Sequence, residues 1–131
     1  MRAAGPLLAA LCWALPVAAQ TAWPTPDGSW RVTEAGGLPL AAEDGVSMTL
    51  AKGHASGNAG CNRFFGGYRL MPGFTLEGPG LTRMACSGRA ADVEAAVLQA
   101  LTQANDWRPG AGDSLELLRD GDVVLRAVPA S

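Results

Sequence analysis

Two cysteines, Cys61 and Cys86, are the residues of this chain whose type and spacing most clearly suggest chemistry. Such a pair can form a structural disulfide, stay reduced and buried, or act as a redox couple. A redox couple usually has the spacing Cys-x-x-Cys at the start of a helix, where the pKa of the thiol is lowered. Here the spacing is 25 positions (86 − 61 = 25), which disfavours a redox couple but leaves the three states open.

The rest of the chain does not predict a catalytic or metal site. It has one histidine, His54, and a catalytic triad would need a serine and an acid held beside it. Ser47, Ser56 and Ser87 do not lie in the sequence context of a nucleophile elbow. A metal site needs several converging ligands, and the acidic residues are scattered over predicted loops and exposed faces. We therefore predict no catalytic residue, no metal and no cofactor.

Three polar residues lie close to the cysteines in sequence. Asn62 follows Cys61 directly, among glycines, and an asparagine there can satisfy backbone groups or adopt a left-handed conformation. Arg63 and Arg83 could bind an anion together, or each could pair with an acid such as Glu94. We favour the structural role for Asn62 and the ion pairs for the two arginines.

The first 19 residues are typical of a secretory signal peptide. Arg2 supplies one positive charge, residues 7–15 form an apolar run, and residues 17–19 form a small-residue cleavage pattern. A spanning helix needs about 20 apolar residues, so a membrane anchor is disfavoured. A lipoprotein signal that uses Cys12 is disfavoured because Leu11 stands where a small residue is expected. We expect cleavage after Ala19 and a periplasmic or secreted location.

Export favours the disulfide among the three states of the cysteine pair. Cleavage removes Cys12 and leaves Cys61 and Cys86 alone in an oxidising compartment, where a disulfide is the default. The bridge would close a loop of about 26 residues and stabilise the fold by around 3 kcal/mol in the chain-entropy model.

Length and charge predict one small domain that binds neither nucleic acid nor anionic lipid. The 131-residue chain has a net charge of −2, which becomes −3 after cleavage because Arg2 is lost (9 − 12 = −3). Such a mildly acidic domain lacks the basic surface that nucleic acid or anionic lipid would need. We divide the chain into a signal peptide (1–19), an extended leader (20–28) and a folded domain (29–128), and expect a monomer.

Hydrophobic patterning predicts an α+β fold with seven or eight short strands and one helix. The strands include residues 29–34, 46–50, 54–57, 68–71, 74–77, 114–118 and 123–128, with a glycine-rich strand before residue 68 and Trp107 on another. Turns are predicted at Lys52-Gly53, Pro72-Gly73 and Asp120-Gly121, and a strand break at residues 78–80. The mostly antiparallel sheet is expected to curl, because its glycines suit bulges and tight corners.

The predicted helix covers residues 89–105, with Ser87 as its N-cap. One helical face carries small and apolar residues and should pack on the sheet. Six aromatic residues are expected in the core or at its margin, namely Trp30, Phe64, Phe65, Tyr68, Phe74 and Trp107. Alternatively, they could line an apolar cavity in an incompletely filled barrel.

Together these residues carry a resemblance to a known family. The pattern Gly57-x-x-Gly60-Cys61-Asn62-Arg63-Phe64-x-Gly66-x-Tyr68, followed by Thr82-Arg83-Met84-Ala85-Cys86, resembles the signature of META domains, the family of HslJ-like heat-shock proteins. The resemblance extends over residues 29–128 and implies an open or cracked antiparallel β-barrel with one packed helix. It also implies an envelope or secreted location, a role in stress tolerance and no established catalytic residue.

From these features we expect a non-enzymatic periplasmic or secreted domain that supports envelope stress tolerance through contacts with a protein partner. Two alternatives stay open. One is a small barrel that binds an apolar ligand or lipid, and the other is a thiol-redox protein that uses Cys61 and Cys86.

Overall fold

The structure is a computed structural model that describes residues 23–130. The predicted signal peptide and residues 20–22 of the predicted leader lie outside the described residues. Nine strands, one α-helix and one short 3₁₀ turn (Ala42–Asp44) are present in the described part. The strands are β1 (Gly28–Ala35), β2 (Leu38–Pro39), β3 (Ser47–Ala51), β4 (His54–Asn58), β5 (Arg63–Arg69), β6 (Thr75–Leu81), β7 (Asp106–Pro109), β8 (Leu115–Arg119) and β9 (Asp122–Pro129), and the helix is α1 (Gly88–Gln103).

All nine strands belong to one antiparallel sheet with the order β6-β5-β4-β3-β1-β9-β8-β7, and β2 pairs with β1. The outermost strands, β6 and β7, are joined in sequence by α1. Phe74 N donates a hydrogen bond to Asn105 O (3.1 Å), which brings together the residues that precede these two strands. The sheet is therefore curled, but β6 and β7 form no ladder with each other in the described chain, so it is not closed. The predicted α+β class and curled antiparallel sheet are confirmed.

Helix α1 packs against the curled sheet with the face that its periodicity predicts. Val93, Val97, Ala100 and Leu101 are buried, and they share one core cluster with strand residues such as Met48. The helix begins directly after Ser87, as predicted, although the Ser87 side chain makes no capping hydrogen bond. Because the helix fills the inside of the sheet, the alternative of an incompletely filled barrel gains no support from the packing.

The three hairpins predicted at Lys52-Gly53, Pro72-Gly73 and Asp120-Gly121 are confirmed, because each turn joins two strands that pair antiparallel. Lys52 and Gly53 have φ angles of 49° and 85°, and Asp120 and Gly121 have φ angles of 51° and 88°. Positive φ at both central residues is the mark of a type I′ turn, whose twist matches that of the strands it joins.

Two local predictions were wrong. Residues 78–80 do not break the strand, because β6 continues through them to Leu81. The two glycines lie where the register between β5 and β6 shifts, opposite Phe65 and Gly67. Phe65 is not a core residue. Successive side chains of a strand point to opposite faces of the sheet, and because Phe64 points into the core, Phe65 points outward and is 55% exposed. Both differences arise from how β5 and β6 pair.

Candidate functional site

The predicted bridge between Cys61 and Cys86 is present, and it connects two segments that flank β5 and α1. Cys61 lies just before β5, and Cys86 lies in the link between β6 and α1. Their Cα atoms are 6.2 Å apart, and both residues are half-buried. We call residues 82–87 of that link the strap; it contains no turn or bend.

Asn62 fixes the strap with both ends of its side-chain amide. Its Oδ1 accepts hydrogen bonds from Met84 N (2.7 Å) and from Thr82 Oγ1 (3.0 Å). Its Nδ2 donates to Met84 O (3.3 Å). The amide of Asn62 thus pairs with the backbone of Met84 as a neighbouring strand would. Asn62 is 5% exposed, and its predicted role of satisfying backbone groups is confirmed.

Glu94 of helix α1 holds Asn62 from the other side. Glu94 Oε1 accepts a hydrogen bond from Asn62 N (2.6 Å), and Oε2 accepts one from Asn62 Nδ2 (3.1 Å). We predicted that Arg63 and Arg83 would pair with acids such as Glu94, and this was wrong, because neither arginine forms an ion pair within residues 23–130. The carboxylate is directed at the amide groups of Asn62, and both arginine side chains remain exposed.

The signature glycines allow close approach of the backbone around this site. A Cβ on Gly57 would overlap the backbone oxygen of Ser47 in the neighbouring strand. Gly60 has a φ of 117°, and a Cβ there would lie 2.8 Å from Cγ1 of Val93 in α1. Gly66 lies at the register shift between β5 and β6. These positions confirm that the glycines serve bulges and close contacts, because each accepts no side chain without a shift of its neighbours.

A groove runs beside the strap at the surface. It has a volume of about 530 Å³ and is lined by Asn62, Pro79, Gly80, Leu81, Thr82, Arg83, Met84 and Ala85. Met84 is 64% exposed and Leu81 is 36% exposed, and the ring of the exposed Phe65 packs against Gly80. Three of the four large apolar side chains that are exposed in the described chain therefore lie in or next to this groove, the fourth being Met71.

Two further signature residues, Phe64 and Tyr68, point into the core from β5. The hydroxyl of Tyr68 donates a hydrogen bond to Asp27, in the segment before β1, and Asp27 also accepts one from Lys52 N (3.3 Å). Burial raises the pKa of Tyr68, and the hydrogen bond to Asp27 raises it further. These contacts attach the segment before β1 to the turn between β3 and β4.

One group of side chains in the described chain has the composition of a metal site, and it is the one formed by Cys61, Cys86 and Glu94. Their ligand atoms lie within 4.8 Å of one another. The two sulfurs are bonded to each other and are not thiolates, which are the form that binds metal, and both oxygens of Glu94 accept hydrogen bonds from Asn62. His54 lies exposed on β4, away from this group. The cluster therefore supports the structure of the strap and offers no metal site in this state.

A second polar cluster was missed by the sequence analysis. Glu116 of β8 is 8% exposed and accepts hydrogen bonds from Arg108 Nε (2.7 Å) and Arg126 Nε (3.0 Å). Both arginines are its direct partners in the neighbouring strands. The hydrogen bond from Arg108 and then that from Arg126 lower the pKa of Glu116. The scattered charges became a cluster only through the strand register, which the sequence pattern did not specify.

The arrangement around the strap is suited to binding. The polar atoms of Asn62 and Glu94 are engaged in internal hydrogen bonds, so they hold the strap in one conformation. The strap presents to solvent the side chains of Met84 and Ala85, the guanidinium of Arg83 and the small polar side chains of Thr82 and Ser87. A prearranged surface of this kind loses little conformational freedom when it binds.

Comparisons with known proteins agree with this geometry. A model of the META domain family matches residues 23–131. An NMR structure of a protein from Burkholderia xenovorans is similar to this chain, with 28% identity and a TM-score of 0.65 over 80% of this chain and 83% of that chain. A second NMR structure is similar in fold, with 20% identity and a TM-score of 0.58 over 76% of this chain and 86% of that chain. None of the curated proteins matches.

Proposed function

Since the chain belongs to the META domain family, we propose that it is a non-enzymatic domain that acts outside the cytoplasm by binding another protein. In this proposal the bound partner links the domain to tolerance of envelope stress, as the HslJ-like signature suggests. The observation that carries the proposal is the cluster of exposed apolar side chains, Phe65, Leu81 and Met84, beside a strap that is held in place.

The exposed apolar cluster supports a protein partner, because removing apolar side chains from water by binding lowers the free energy. Clustered apolar surface on a folded chain commonly marks a site of interaction. Methionine is well suited to it, since its flexible thioether adapts to the surface of a partner. Met84 is 64% exposed although the backbone on both sides of it is fixed by Asn62 and by the disulfide.

Two features support an extracytoplasmic location. The first is the signal-peptide pattern of residues 1–19. The second is the Cys61–Cys86 disulfide, since disulfides persist in oxidising compartments and are rare in the cytoplasm. Within residues 23–130, no helix is long and apolar enough to cross a membrane.

A complementation assay tests the proposal. A bacterial strain that lacks this gene receives the wild-type chain, the variant Met84→Ser or the variant Met71→Ser, and survival after heat and envelope stress is counted. Met71 is the matched control because it is 84% exposed in the loop between β5 and β6, away from the groove. We expect Met84→Ser to lose most of the protection and Met71→Ser to retain it.

A form of the chain without residues 2–19 tests the location in the same strain. We expect it to accumulate in the cytoplasm and to give no protection. Full protection by Met84→Ser at wild-type abundance would contradict the docking role, by which we mean the binding of a partner protein at the exposed apolar cluster. Full protection by the form without residues 2–19 would contradict the extracytoplasmic location.

A further inference from the structure

The strap continues the edge of the sheet beyond β6. Thr82 N donates to Arg63 O (3.0 Å), and Met84 N donates to Asn62 Oδ1 (2.7 Å), so both residues direct their backbone groups toward β5. In an extended chain alternate residues direct these groups to opposite edges. Those of Arg83 and Ala85 therefore face outward, and neither backbone N makes a hydrogen bond within residues 23–130. The outer edge of the strap is an unpaired strand edge.

Strand β6 itself offers a poorer edge than the strap does. Pro79 has no N–H to donate, and Gly78 has a φ of 52°, which disturbs the regular spacing of backbone groups. Prolines and irregular residues are the usual means by which proteins prevent unwanted pairing at a sheet edge. The strap lacks such a device, since residues 82–87 contain neither proline nor a bend.

The charge beside this edge is positive and unpaired. Five of the eight arginines in residues 23–130 form ion pairs with carboxylates, while Arg31, Arg63 and Arg83 do not. Arg83 is the one charged residue that lines the groove. Arg63 is next to the strap, because its backbone O accepts a hydrogen bond from Thr82 N and its backbone N donates one to Thr82 Oγ1. The chain as a whole has a net charge of −2. A carboxylate on the partner would complement the charge of these two unpaired guanidinium groups.

We propose that the strap binds an extended, acidic segment of a partner protein by strand addition. The backbone of the segment pairs with Arg83 and Ala85, a carboxylate of the segment pairs with the Arg83 guanidinium, and an apolar side chain of the segment enters the groove beside Leu81 and Met84. Main-chain hydrogen bonds give affinity in this mode, and pockets for alternate side chains give specificity. The inference rests on the proposed function, because it names the chemistry of the partner that the same groove would bind.

A selection experiment tests the charge of the segment. A random dodecapeptide library displayed on phage is selected on the oxidised mature chain, on Arg83→Glu and on Arg31→Glu. Arg31 is the control, because its side chain is also exposed and unpaired but lies on β1. We expect at least a threefold excess of Asp and Glu, alternating with apolar residues, on the wild type and on Arg31→Glu. On Arg83→Glu the excess should shift to Lys and Arg.

Amide hydrogen exchange tests the mode of binding. With the most enriched synthetic peptide bound to the mature chain, exchange at the amides of Arg83 and Ala85 should slow at least tenfold. An enrichment without acidic residues, a preference that Arg83→Glu leaves unchanged, or protection confined to other strands would each overturn the inference.

The complementation assay separates this inference from the proposed function. Loss of protection in Met84→Ser together with full protection in Arg83→Glu would retain the docking role and overturn the acidic segment. Full protection in Met84→Ser would overturn the docking role itself.

Discussion

Asn62 and Glu94, which are 32 positions apart in the chain, are joined by two hydrogen bonds of 2.6 and 3.1 Å. Through the same side chain Asn62 also holds Met84, so a single amide connects the start of β5, the strap and helix α1. The groove depends on this connection, because the strap lies outside β6 and α1 and only Thr82 N joins its backbone to that of β5 within residues 23–130.

We predict that Asn62→Ala destabilises the fold by about 2–4 kcal/mol, because the substitution leaves Met84 N and one oxygen of Glu94 without their partner. The control is Asn105→Ala, since the exposed Asn105 side chain also makes two hydrogen bonds, both with Asp120. Asn105→Ala should lower the free energy of unfolding by less than about 1 kcal/mol, because water can replace the hydrogen bonds that Asp120 loses. Urea unfolding of the oxidised proteins measures both values, and equal costs would contradict the role given to Asn62.

The disulfide should contribute about 3 kcal/mol through the loop that it closes. We predict that the double variant Cys61→Ser/Cys86→Ser melts roughly 10–20 °C below the oxidised wild type. Dithiothreitol should lower the wild type to the same melting temperature and leave the double variant unchanged. Thermal unfolding followed by circular dichroism measures this, and a wild type whose melting temperature is unchanged after verified reduction would contradict the prediction.

Gly57→Ala should be among the most damaging single substitutions in the sheet. The added methyl group would overlap the backbone of Ser47, and strands β3 and β4 would have to separate, which costs about 3 kcal/mol or more. Gly67→Ala is the matched control, because a Cβ there would lie 3.5 Å from Gly53 O, an ordinary contact. We expect the control to change the free energy of unfolding by less than about 1 kcal/mol; similar losses in both variants would contradict the explanation.

Stability should depend on pH through Glu116. The arginines Arg108 and Arg126 lower its pKa in the folded state, so its contribution is present above the ordinary glutamate pKa of about 4.3 and is lost as the pH falls through the lower folded pKa. We predict that Glu116→Gln costs about 1–2 kcal/mol at pH 7 and progressively less below about pH 4. The measurement is urea unfolding across that range.

Glu77→Gln provides the control for this pH series. Glu77 pairs with Arg69 at the surface, where both side chains are well exposed (46% and 66%), and such pairs contribute little. A cost of Glu116→Gln that stays constant from pH 7 to pH 3 would show that packing, not charge, explains it.

The features that were predicted from sequence are those with local causes. The helical face of α1 follows from residues three and four positions apart, and the two type I′ turns follow from Lys52-Gly53 and Asp120-Gly121. The cysteine bridge and the role of Asn62 were also predicted. The bridge was indicated by the spacing of the cysteines and by the predicted signal peptide, and the role of Asn62 by the surrounding glycines.

The features that were missed depend on strand register and on contacts between distant segments. The partner of Glu94 could not be told from its sequence position, since Asn62 and both arginines lie within three positions of a cysteine. Glu116 became a buried acid because β7 and β9 place Arg108 and Arg126 directly opposite it. The exposure of Phe65 and the continuity of β6 through Gly78 likewise follow from the irregular pairing of two strands.

The docking role of the strap is tested most directly by cross-linking in living cells. A photoreactive benzoylphenylalanine replaces either Met84 or Met71 in the full chain, and the cells are irradiated under envelope stress. We predict a discrete cross-linked protein at position 84, at least five times more abundant than at position 71, and its loss when Arg83→Glu is added. Equal cross-linking at the two positions, or none at position 84 with the folded and oxidised chain present, would contradict the account.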